Sequence, residues 1–541
     1  MKNNILAGLT VGIIALPLSM ALAIATGVPP QLGLYTAIIA GIFAAIFGSS
    51  KVNISGPTAA FIVILIPIVQ EFGITGLLLC GLLSGLILIL IGVLKLGTLI
   101  ELIPYPVTVG FTSGIAVVIA TFQIKDFFGL TIENFNGHYL DKIYLIFTSF
   151  DTFKHTELTV GLFTLFLLIL WQKTKSRIPA ALVALTFITV IVAFLNFYFP
   201  HLNITTIAST FHYNINGLEG NGIPPIPLQF SLPWSFLKPE EITFDLLYKL
   251  LPHAIAIAIL GALESLLCAV ISDGMTGNKT NPNKELIGQG ITNLIVPFFG
   301  GIPATAAIAR TVVNIKSGGT SKLSSIVHAL FILVSIMFLS SYLSYLPMAS
   351  LSALLLVVAW NMSEVKHFVN ILKVAPKHDV YVLLTCFVLT VLLDMQIAVA
   401  VGIGLASILF IKRTIDLYSI ELVNTKLSIH PNIPENIAIY DINGPMFFGA
   451  AQNAINTLFD TKEDINIIIL NMQNVTMIDM TGIVALKSIV NNFEDKDKKL
   501  IFSGLNERIL KKLEKANFNI NKKNLTSFSN IEEAIIYSKK T

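Results

Sequence analysis

Charged residues are scarce in this sequence. Asp, Glu, Lys and Arg make up only 12% of its 541 residues, whereas soluble proteins carry about 25%. Hydrophobic residues account for 54%, and most of them lie in long runs. This balance excludes an ordinary soluble protein and indicates a membrane protein in contact with the lipid bilayer. The net charge of +3 gives no indication of a nucleic-acid partner.

Cysteine is almost absent, and the phosphate-binding signature is missing. Cys80, Cys268 and Cys386 all lie inside apolar runs, and no pair has the spacing of a metal knuckle or a redox site. We therefore expect packing residues and no metal centre or other cofactor. No Gly-rich phosphate loop occurs in the C-terminal part, which excludes an NTPase, and nothing else indicates an enzyme.

Apolar runs are what the sequence has instead, and they predict about fourteen membrane segments. The full-length runs lie near residues 5–26, 33–49, 76–94, 106–124, 158–172, 179–199, 250–272, 323–343, 347–360, 378–393 and 396–411. Shorter or interrupted runs lie near 57–69, 286–299 and 304–315. The transmembrane part is thus predicted to cover residues 1–415.

The short loops between these runs differ in basic charge. Residues such as Lys51, Lys284 and Lys412 fall on the same side as Lys2, whereas the two long loops near 125–157 and 200–248 fall on the other side. By the positive-inside rule, both termini are predicted to lie in the cytoplasm, with the long loops outside.

Two of the short runs begin alike. "SGPTAAF" contains Thr58–Phe61, and "GGIPATAAIA" contains Thr305–Ile308. The spacing from Thr58 to Thr305 is also the spacing from Pro17 to Glu264, which predicts inverted repeats of about seven segments each, over 5–200 and 249–415. Ser55 is a candidate cap for the first short helix.

Half-length helices at matching positions are typical of transporter binding sites. The free N–H groups and the dipole of such a helix attract an anion to its N-terminus. The small residues Ala59, Ala60, Ala306 and Ala307 would let the anion approach the backbone. The alternative is that both stretches are ordinary re-entrant packing elements.

Two charged residues lie among these apolar runs. Glu264 stands in "AIAILGALESLLCAV", and a carboxylate inside a membrane is costly and usually functional. A neutral, hydrogen-bonded structural role is the alternative. Arg310 follows the second tip and either faces the anion or forms a salt bridge with Glu264 or Asp273.

The spacing of the hydrophobic residues changes near residue 437. After a predicted linker over 416–436, strands are predicted in "IAIYDINGPMFFG", "INIIILNMQ" and "KKLIFSG". Helices are predicted in "AAQNAINTLFD", "TGIVALKSIVNNFED" and "NERILKKLEKANF". Alternating strands and helices indicate a small cytoplasmic α/β domain over 437–541.

Taken together, these features resemble the SulP (sulfate permease) family of secondary anion transporters. The resemblance rests on "SGPTAAF", "ELIGQGITNLIVPFFGG" and "TVVNIKSGG", and the tail resembles that family's STAS domain. "GALESLLCAVISDGMTG", "GGIPATAAIAR" and "LLLVVAWNMSE" look most like the bacterial C4-dicarboxylate uptake branch, the DauA type.

The resemblance implies a multi-span α-helical protein of fourteen segments in two inverted sevens, with a core domain, a gate domain and half helices 3 and 10. It implies a homodimer in the bacterial cytoplasmic membrane, and it allows a cytoplasmic partner for the STAS domain. Glu264 would couple transport to protons. The residues implied to line the anion site are Leu18, Leu22, Thr58, Ala59, Ala60, Phe61, Ala307, Ile308, Ala309 and Arg310.

Two departures from the pattern affect these expectations. The sodium-coupled bicarbonate branch has Asp and Thr where this chain has Glu264 and Cys268. A thiol is a poor sodium ligand, which favours the proton as coupling ion. In the tail, the phosphoacceptor motif Asp-Ser-Ser-Gly becomes Asp479-Met480-Thr481-Gly482, so Thr481 is a candidate phosphoacceptor or an inert helix N-cap.

The predicted function is proton-coupled uptake of C4-dicarboxylates such as succinate and fumarate. Within the transporter class, the alternatives are sulfate or bicarbonate transport and anion exchange. From another class, the alternatives are an anion channel and a membrane-anchored signalling module that uses the STAS domain.

Overall fold

The computed structural model describes most of the chain. The described residues are 1–100, 103–174, 176, 178–215, 217–234, 243–393, 395–416, 418–423, 433–447, 455, 458, 464–518 and 525–540. The chain divides into two compact units, Met1–Gly404 and Leu405–Thr541.

The first unit is a bundle of helices. In chain order the helices are α1 Lys2–Thr26, α2 Pro30–Phe47, α3 Ala59–Val93, α4 Gly97–Ile100, α5 Tyr105–Phe127, α6 Tyr139–Thr148, α7 His155–Lys173, α8 Ala180–Tyr198, α9 Ile207–Thr210, α10 Phe244–Thr276, α11 Pro282–Ile295, α12 Ile308–Lys316, α13 Leu323–Leu343, α14 Met348–Met362, α15 Val365–Val374, α16 Lys377–Leu392 and α17 Met395–Asp416. Among the described residues, 10 helices are long and apolar enough to cross a membrane. The predicted multi-span helical class is therefore confirmed.

Each predicted apolar run lies on one of these helices, and α3 carries two of them. Gly73 interrupts α3 with φ 67°, a left-handed conformation that glycine adopts without steric cost. Residues 59–72 thus form a short helix, and residues 74–93 form the next segment. The count of fourteen crossings and their inverted order remain predictions.

The helices pack as two groups. Helices α1, α2, α3, α10, α11, α12 and α13 contact one another, and α5, α7, α8, α14 and α16 contact one another. We call the first group the core bundle and the second the gate bundle. Contacts of α5 with α3 and of α14 with α1 join them.

Small residues bring α3 and α11 close together in the core bundle. A Cβ at Gly85 would lie 2.8 Å from the carbonyl oxygen of Gly290, and one at Gly290 would lie 2.7 Å from that of Gly85. Backbones can approach this closely only where side chains are absent.

A two-residue ladder joins the two matched stretches of sequence. Strand β1, Ser55–Gly56, pairs antiparallel with β4, Thr305–Ala306, so that Ser55 lies opposite Ala306 and Gly56 opposite Thr305. A two-fold axis between equivalent stretches would generate an antiparallel pair of this kind. The pairing supports the predicted repeat and brings the N-termini of the two half helices near each other. A separate hairpin of β2 (His212–Ile215) and β3 (Leu218–Asn221) lies in a long loop.

The second unit contains a five-stranded sheet with the order β5-β6-β7-β8-β9. The elements are β5 Ser419–Leu422, β6 Ile437–Asn443, β7 Ile467–Asn474, α18 Met480–Asp495, β8 Lys499–Ser503, α19 Glu507–Lys515, β9 Leu525–Phe528 and α20 Ile531–Ser538. Strand β5 is antiparallel to β6, and the other pairs are parallel. The predicted α/β architecture is confirmed.

Three elements of this unit were not predicted. Strands β5 and β9 and helix α20 are short, and β5 lies within the stretch predicted as a linker, where it extends the sheet at β6. The helix predicted in "AAQNAINTLFD", residues 450–460, falls almost wholly outside the described residues.

Candidate functional site

The two half helices begin without side-chain caps. Thr58 is the N-cap residue of α3 and Ala307 that of α12, and neither side chain accepts a hydrogen bond from the helix. The prediction that Ser55 caps the first half helix is wrong. Ser55 belongs to β1, and its hydroxyl bonds to Gln289 Oε1 at 3.2 Å because the ladder places it beside α11.

The first N–H groups of both helices are therefore available to a ligand. Within the part of the chain that the structure describes, the backbone N–H groups of Ala59, Ala60, Ile308, Ala309 and Arg310 have no hydrogen-bond acceptor. A helix end without such partners is unfavourable unless water or a ligand supplies them. Each helix end also carries about +0.5 charge from its dipole.

The strands β1 and β4 fix where these helix ends lie. The backbone N–H of Ala307 donates to the carbonyl oxygen of Ile54 at 2.8 Å, and that of Ala306 lies 3.4 Å from Ser265 Oγ. The hydroxyls of Ser265 and Thr305 are 2.7 Å apart. The backbone before the second tip is thus hydrogen-bonded, whereas the first N–H groups of the helix are not.

Glu264 lies at the first of these tips. The Thr58 hydroxyl donates to Glu264 Oε2 at 2.9 Å and accepts no hydrogen bond from its own helix. Glu264 is partly buried on α10. The predicted proton-coupling residue and a predicted site residue are therefore in direct contact.

Arg310 lies between the two tips. It is 2% exposed, and its Nη2 donates to the carbonyl oxygen of Pro57, immediately before Thr58. Its Nη1 has no hydrogen-bond partner among the described residues. A Cβ at Gly56 would lie 2.5 Å from this Nη1, so the guanidinium requires glycine there.

Arg310 forms no salt bridge with either carboxylate considered for it. Neither Glu264 nor Asp273 has an oxygen within 4.0 Å of the guanidinium, and all three side chains are described. The carboxylate of Asp273 instead accepts two hydrogen bonds from Thr280. The Thr280 backbone N–H donates at 2.6 Å and the Thr280 hydroxyl at 2.8 Å. The positive charge of Arg310 thus remains available near the tips.

The other predicted site residues differ in their position and in how deeply they are buried. Leu18 and Leu22 lie one turn apart on α1, which contacts α3 and α12, and Leu22 is fully buried. Phe61 is also buried, and its ring lies against Gly261 of α10. Ile308 is half-buried, and Ala309 is exposed.

The sequence interpretation missed the polar face of α11. Glu285 Oε2 accepts from the backbone N–H groups of Ser49 at 2.6 Å and Ser50 at 2.8 Å. Asn293 bonds to both the N–H and the carbonyl of Ala304, each at 2.8 Å. Gln289 donates to that carbonyl at 2.8 Å. These residues stand at four-residue intervals, a spacing that would have revealed one polar helix face.

Cys268 lies one helical turn beyond Glu264. Its Sγ is 3.3 Å from the Thr311 hydroxyl, and the side chain is buried. Among the described residues, no group of three His, Cys, Asp or Glu side chains could hold a metal ion.

In the second unit, Thr481 does not cap a helix. The N-cap of α18 is Asp479, whose side chain accepts from the backbone N–H of Gly482 at 2.8 Å. The alternative in which Thr481 is an N-cap is therefore wrong. Thr481 lies in the first turn of α18 with its side chain exposed.

Two family models match the chain. The model described as "Sulfate permease family" matches residues 1–386, and that described as "STAS domain" matches residues 428–534.

Curated relatives match over nearly the whole length. YvdB of Bacillus subtilis (strain 168), whose name assigns it provisionally to sulfate transport, is 38% identical over 93% of this chain and 91% of its own. The bicarbonate transporter BicA of Picosynechococcus is 28% identical over 95% of this chain and 90% of its own.

Solved structures share the fold. Murine Solute Carrier 26 family member A9, an anion transporter, matches with a TM-score of 0.86 and 18% identity over 100% of this chain and 92% of its own. The transmembrane domain of a cyanobacterial BicA matches with a TM-score of 0.64 and 28% identity over 74% of this chain and 97% of its own.

Proposed function

The chain belongs to the sulfate permease family, and from this premise we propose that it is a secondary active transporter that takes up C4-dicarboxylates together with protons. The family consists of transporters, so the chain is an anion transporter and not an enzyme. The C-terminal STAS domain is part of the same assignment.

One observation supports the proposed site most directly. Two uncapped helix ends lie side by side and offer unpaired N–H groups, and Arg310 adds a buried positive charge next to them. The two dipoles contribute about +1 charge in total. A small anion would satisfy the N–H groups that are otherwise without acceptors.

The residues of this site would act in different ways. The N–H groups at Ala59, Ala60, Ile308 and Ala309 would bind the anion, and the absence of bulk at the alanines would let it approach the backbone. Leu18, Leu22, Thr58, Phe61 and Ala307 would shape the site. Arg310 would balance the second negative charge of a dicarboxylate.

Glu264 would couple transport to protons. An ionised carboxylate near the tips repels the anion, and protonation removes that repulsion, so anion and proton would bind together. The hydrogen bond between Thr58, at the α3 tip, and Glu264 supports this role. Cys268 offers no oxygen ligand to a sodium ion, which supports the proton as coupling ion.

Sulfate and bicarbonate are the second candidate substrates. The names of the relatives include both anions, and backbone N–H groups bind many oxyanions. C4-dicarboxylates are the first candidate substrates because "GALESLLCAVISDGMTG" and "GGIPATAAIAR" resemble the corresponding segments of the dicarboxylate branch. The site would operate in the bacterial cytoplasmic membrane, in a homodimer with both termini in the cytoplasm.

A transport assay with a panel of anions tests the proposal. Purified protein in proteoliposomes would be given radiolabelled succinate, fumarate, sulfate or bicarbonate with an inward proton gradient. We expect accumulation of succinate and fumarate that collapses with a protonophore. Accumulation of sulfate or bicarbonate alone would assign the second candidate, and rapid equilibration without accumulation would indicate a channel.

A further inference from the structure

A second charged feature lies away from the helix tips, in a cavity of about 380 Å³ between the core bundle and the gate bundle. We call it the outer cavity, because α6 belongs to a loop predicted to face outward. Its lining includes Val63, Gln70, Phe122, Lys142, His253 and Thr390.

The outer cavity lies along the same helix as the candidate anion site. Of the α3 residues that line it, Val63 and Ile64 are the nearest in sequence to Ala60 at the tip of that helix. Four residues of helix span about 6 Å. The cavity continues along α3 to Gln70, which lies beside Lys142, so an anion at Lys142 would be about 15 Å of helix from the tip.

Lys142 is the basic residue of this lining, and it is 3% exposed. No carboxylate of the described residues lies within 4.0 Å of its ammonium group. The ammonium nitrogen is 3.5 Å from the neutral Gln70 Oε1 and 4.8 Å from the centre of the Phe122 ring. Such a buried cation is costly unless an anion or a comparable partner compensates it.

A second lysine, Lys125, adds positive charge near Lys142. Lys125 Nζ lies 5.6 Å from the centre of the Phe135 ring, and Lys142 Nζ lies 5.7 Å from the same centre. Burial lowers the pKa of Lys142 from its ordinary value of 10.5 to about 8. Its ammonium is therefore charged below a pH of about 8 and becomes neutral as the pH rises through that value.

The other titratable groups near Lys142 come from several elements. Glu71 of α3, His138 before α6, Tyr139 of α6 and His253 of α10 line the cavity. Glu71 is exposed, and Asp141 of α6 accepts from the backbone N–H of His138 at 2.9 Å. Among the described residues of the lining, Glu71 is the one acid, and its side chain is exposed to solvent.

We propose that the outer cavity is a loading site, in which Lys142 captures a small carboxylate or oxyanion from outside before the anion moves to the helix tips. This inference rests on the proposed transport function for its direction, and on the cavity and the unpaired buried cation for its location. The anion would provide the counter-charge that no described residue supplies within 4.0 Å of the ammonium group.

Substitutions at Lys142 test the role of its charge in transport. With proteoliposomes oriented outside out, Lys142→Gln is expected to raise the external KM for succinate about tenfold, with kcat and the KM for efflux nearly unchanged; tenfold corresponds to about 1.4 kcal/mol. Lys142→Arg should keep the low KM and lose the rise in KM above a pH of about 8, because arginine stays charged there.

Lys249→Gln is the matched control. Lys249 is exposed and paired with Asp245 at 2.8 Å, so its neutralisation removes the same formal charge from a side chain that does not line the cavity. The KM of Lys249→Gln should stay within about twofold of the wild-type value, because exposed ion pairs contribute little energy. Equal KM changes in both variants, or none in Lys142→Gln, would overturn the loading site.

A binding measurement separates this inference from the proposed function. Ala307→Trp would fill the space at the helix tips, so any binding of labelled succinate, sulfate or bicarbonate that remains should occur in the outer cavity. We expect weak residual binding that disappears when Lys142→Gln is added. Residual binding that is unchanged by Lys142→Gln would refute the loading site, even if the wild-type protein transports anions. A complete absence of residual binding would refute it as well. Conversely, Lys142-dependent binding would stand even if the wild type transported none of them.

Discussion

At the scale of single residues, the most informative contact is the one between Thr58 and Glu264. A threonine at an N-cap normally accepts a hydrogen bond from the helix that follows. Here the hydroxyl donates to Glu264 at 2.9 Å instead, and the helix end is left open. One hydrogen bond thus connects the candidate proton carrier to the candidate anion site.

The substitution Glu264→Gln tests this connection. Glutamine preserves the shape of the side chain and cannot ionise, so anion binding should be retained. Uptake should no longer increase as the external pH falls, and succinate should no longer accumulate against its gradient. Both are measured in proteoliposomes, with sodium replaced by potassium as a further condition that should change nothing.

Glu133→Gln is a suitable control for that experiment, because Glu133 is exposed in a loop. It should behave as the wild type does. A strict sodium requirement, or proton-driven accumulation that survives in Glu264→Gln, would contradict the coupling role.

Bulk at the helix tips provides a second test at this scale. Ala307→Trp and Ala60→Trp place an indole where an anion would contact the backbone, and uptake should fall at least a hundredfold, about 2.7 kcal/mol or more. Leu90→Trp introduces the same bulk on an exposed position of α3 and should have little effect. Normal uptake by both tip variants, at normal expression, would remove the anion from this location.

At the scale of elements, helix α11 positions the site without contributing to it. Glu285, Gln289 and Asn293 share one face and bind the backbone around the β1–β4 ladder. A two-residue ladder has little stability of its own, since it contains so few hydrogen bonds. The polar face of α11 therefore holds the half helices in register.

Asn293→Leu tests this positioning role. The substitution leaves the buried N–H of Ala304 without an acceptor, which should cost about 1–3 kcal/mol. We expect a lower unfolding temperature in detergent and weaker anion binding. Asn361→Leu, on an exposed position of α14, makes the same chemical change and should leave both measurements near those of the wild type. An unfolding temperature for Asn293→Leu equal to that of the control would show that the ladder holds without α11.

At the scale of the whole molecule, the chain consists of a helical unit and a unit built on a five-stranded sheet. The candidate anion site and the outer cavity both consist of residues from the first unit. The hydrophobic core of the second unit is formed by its own residues, which include Ile468, Leu486 and Phe502. Each unit therefore has the internal packing of a domain.

Removal of the second unit tests whether it is needed for binding. A chain that ends at Thr414 should bind labelled succinate with an affinity within a few-fold of the full chain, because every proposed binding group lies before that point. The transport rate of the truncated chain can be lower without affecting this test. If the truncated chain is monodisperse and helical by circular dichroism yet binds nothing, the second unit takes part in the site.

Thr481 also belongs to this scale, because it lies on the second unit. Its exposure in the first turn of α18 is compatible with its prediction as a phosphoacceptor, and Asp479 supplies the cap. Mass spectrometry of the protein from its native cells would detect the modification.

The sequence by itself determined the membrane class, the positions of the helices long enough to cross a membrane and the two matched tips. These follow from hydrophobic runs and from local Gly, Pro and Thr signals, which act within a few residues of the chain. Tertiary structure decided which partner each polar group takes. Ser55 bonds to Gln289 instead of capping, Arg310 bonds to the Pro57 carbonyl instead of a carboxylate, and Lys142 is buried beside Phe122. Such choices depend on residues tens to hundreds of positions apart, whose distances only packing sets.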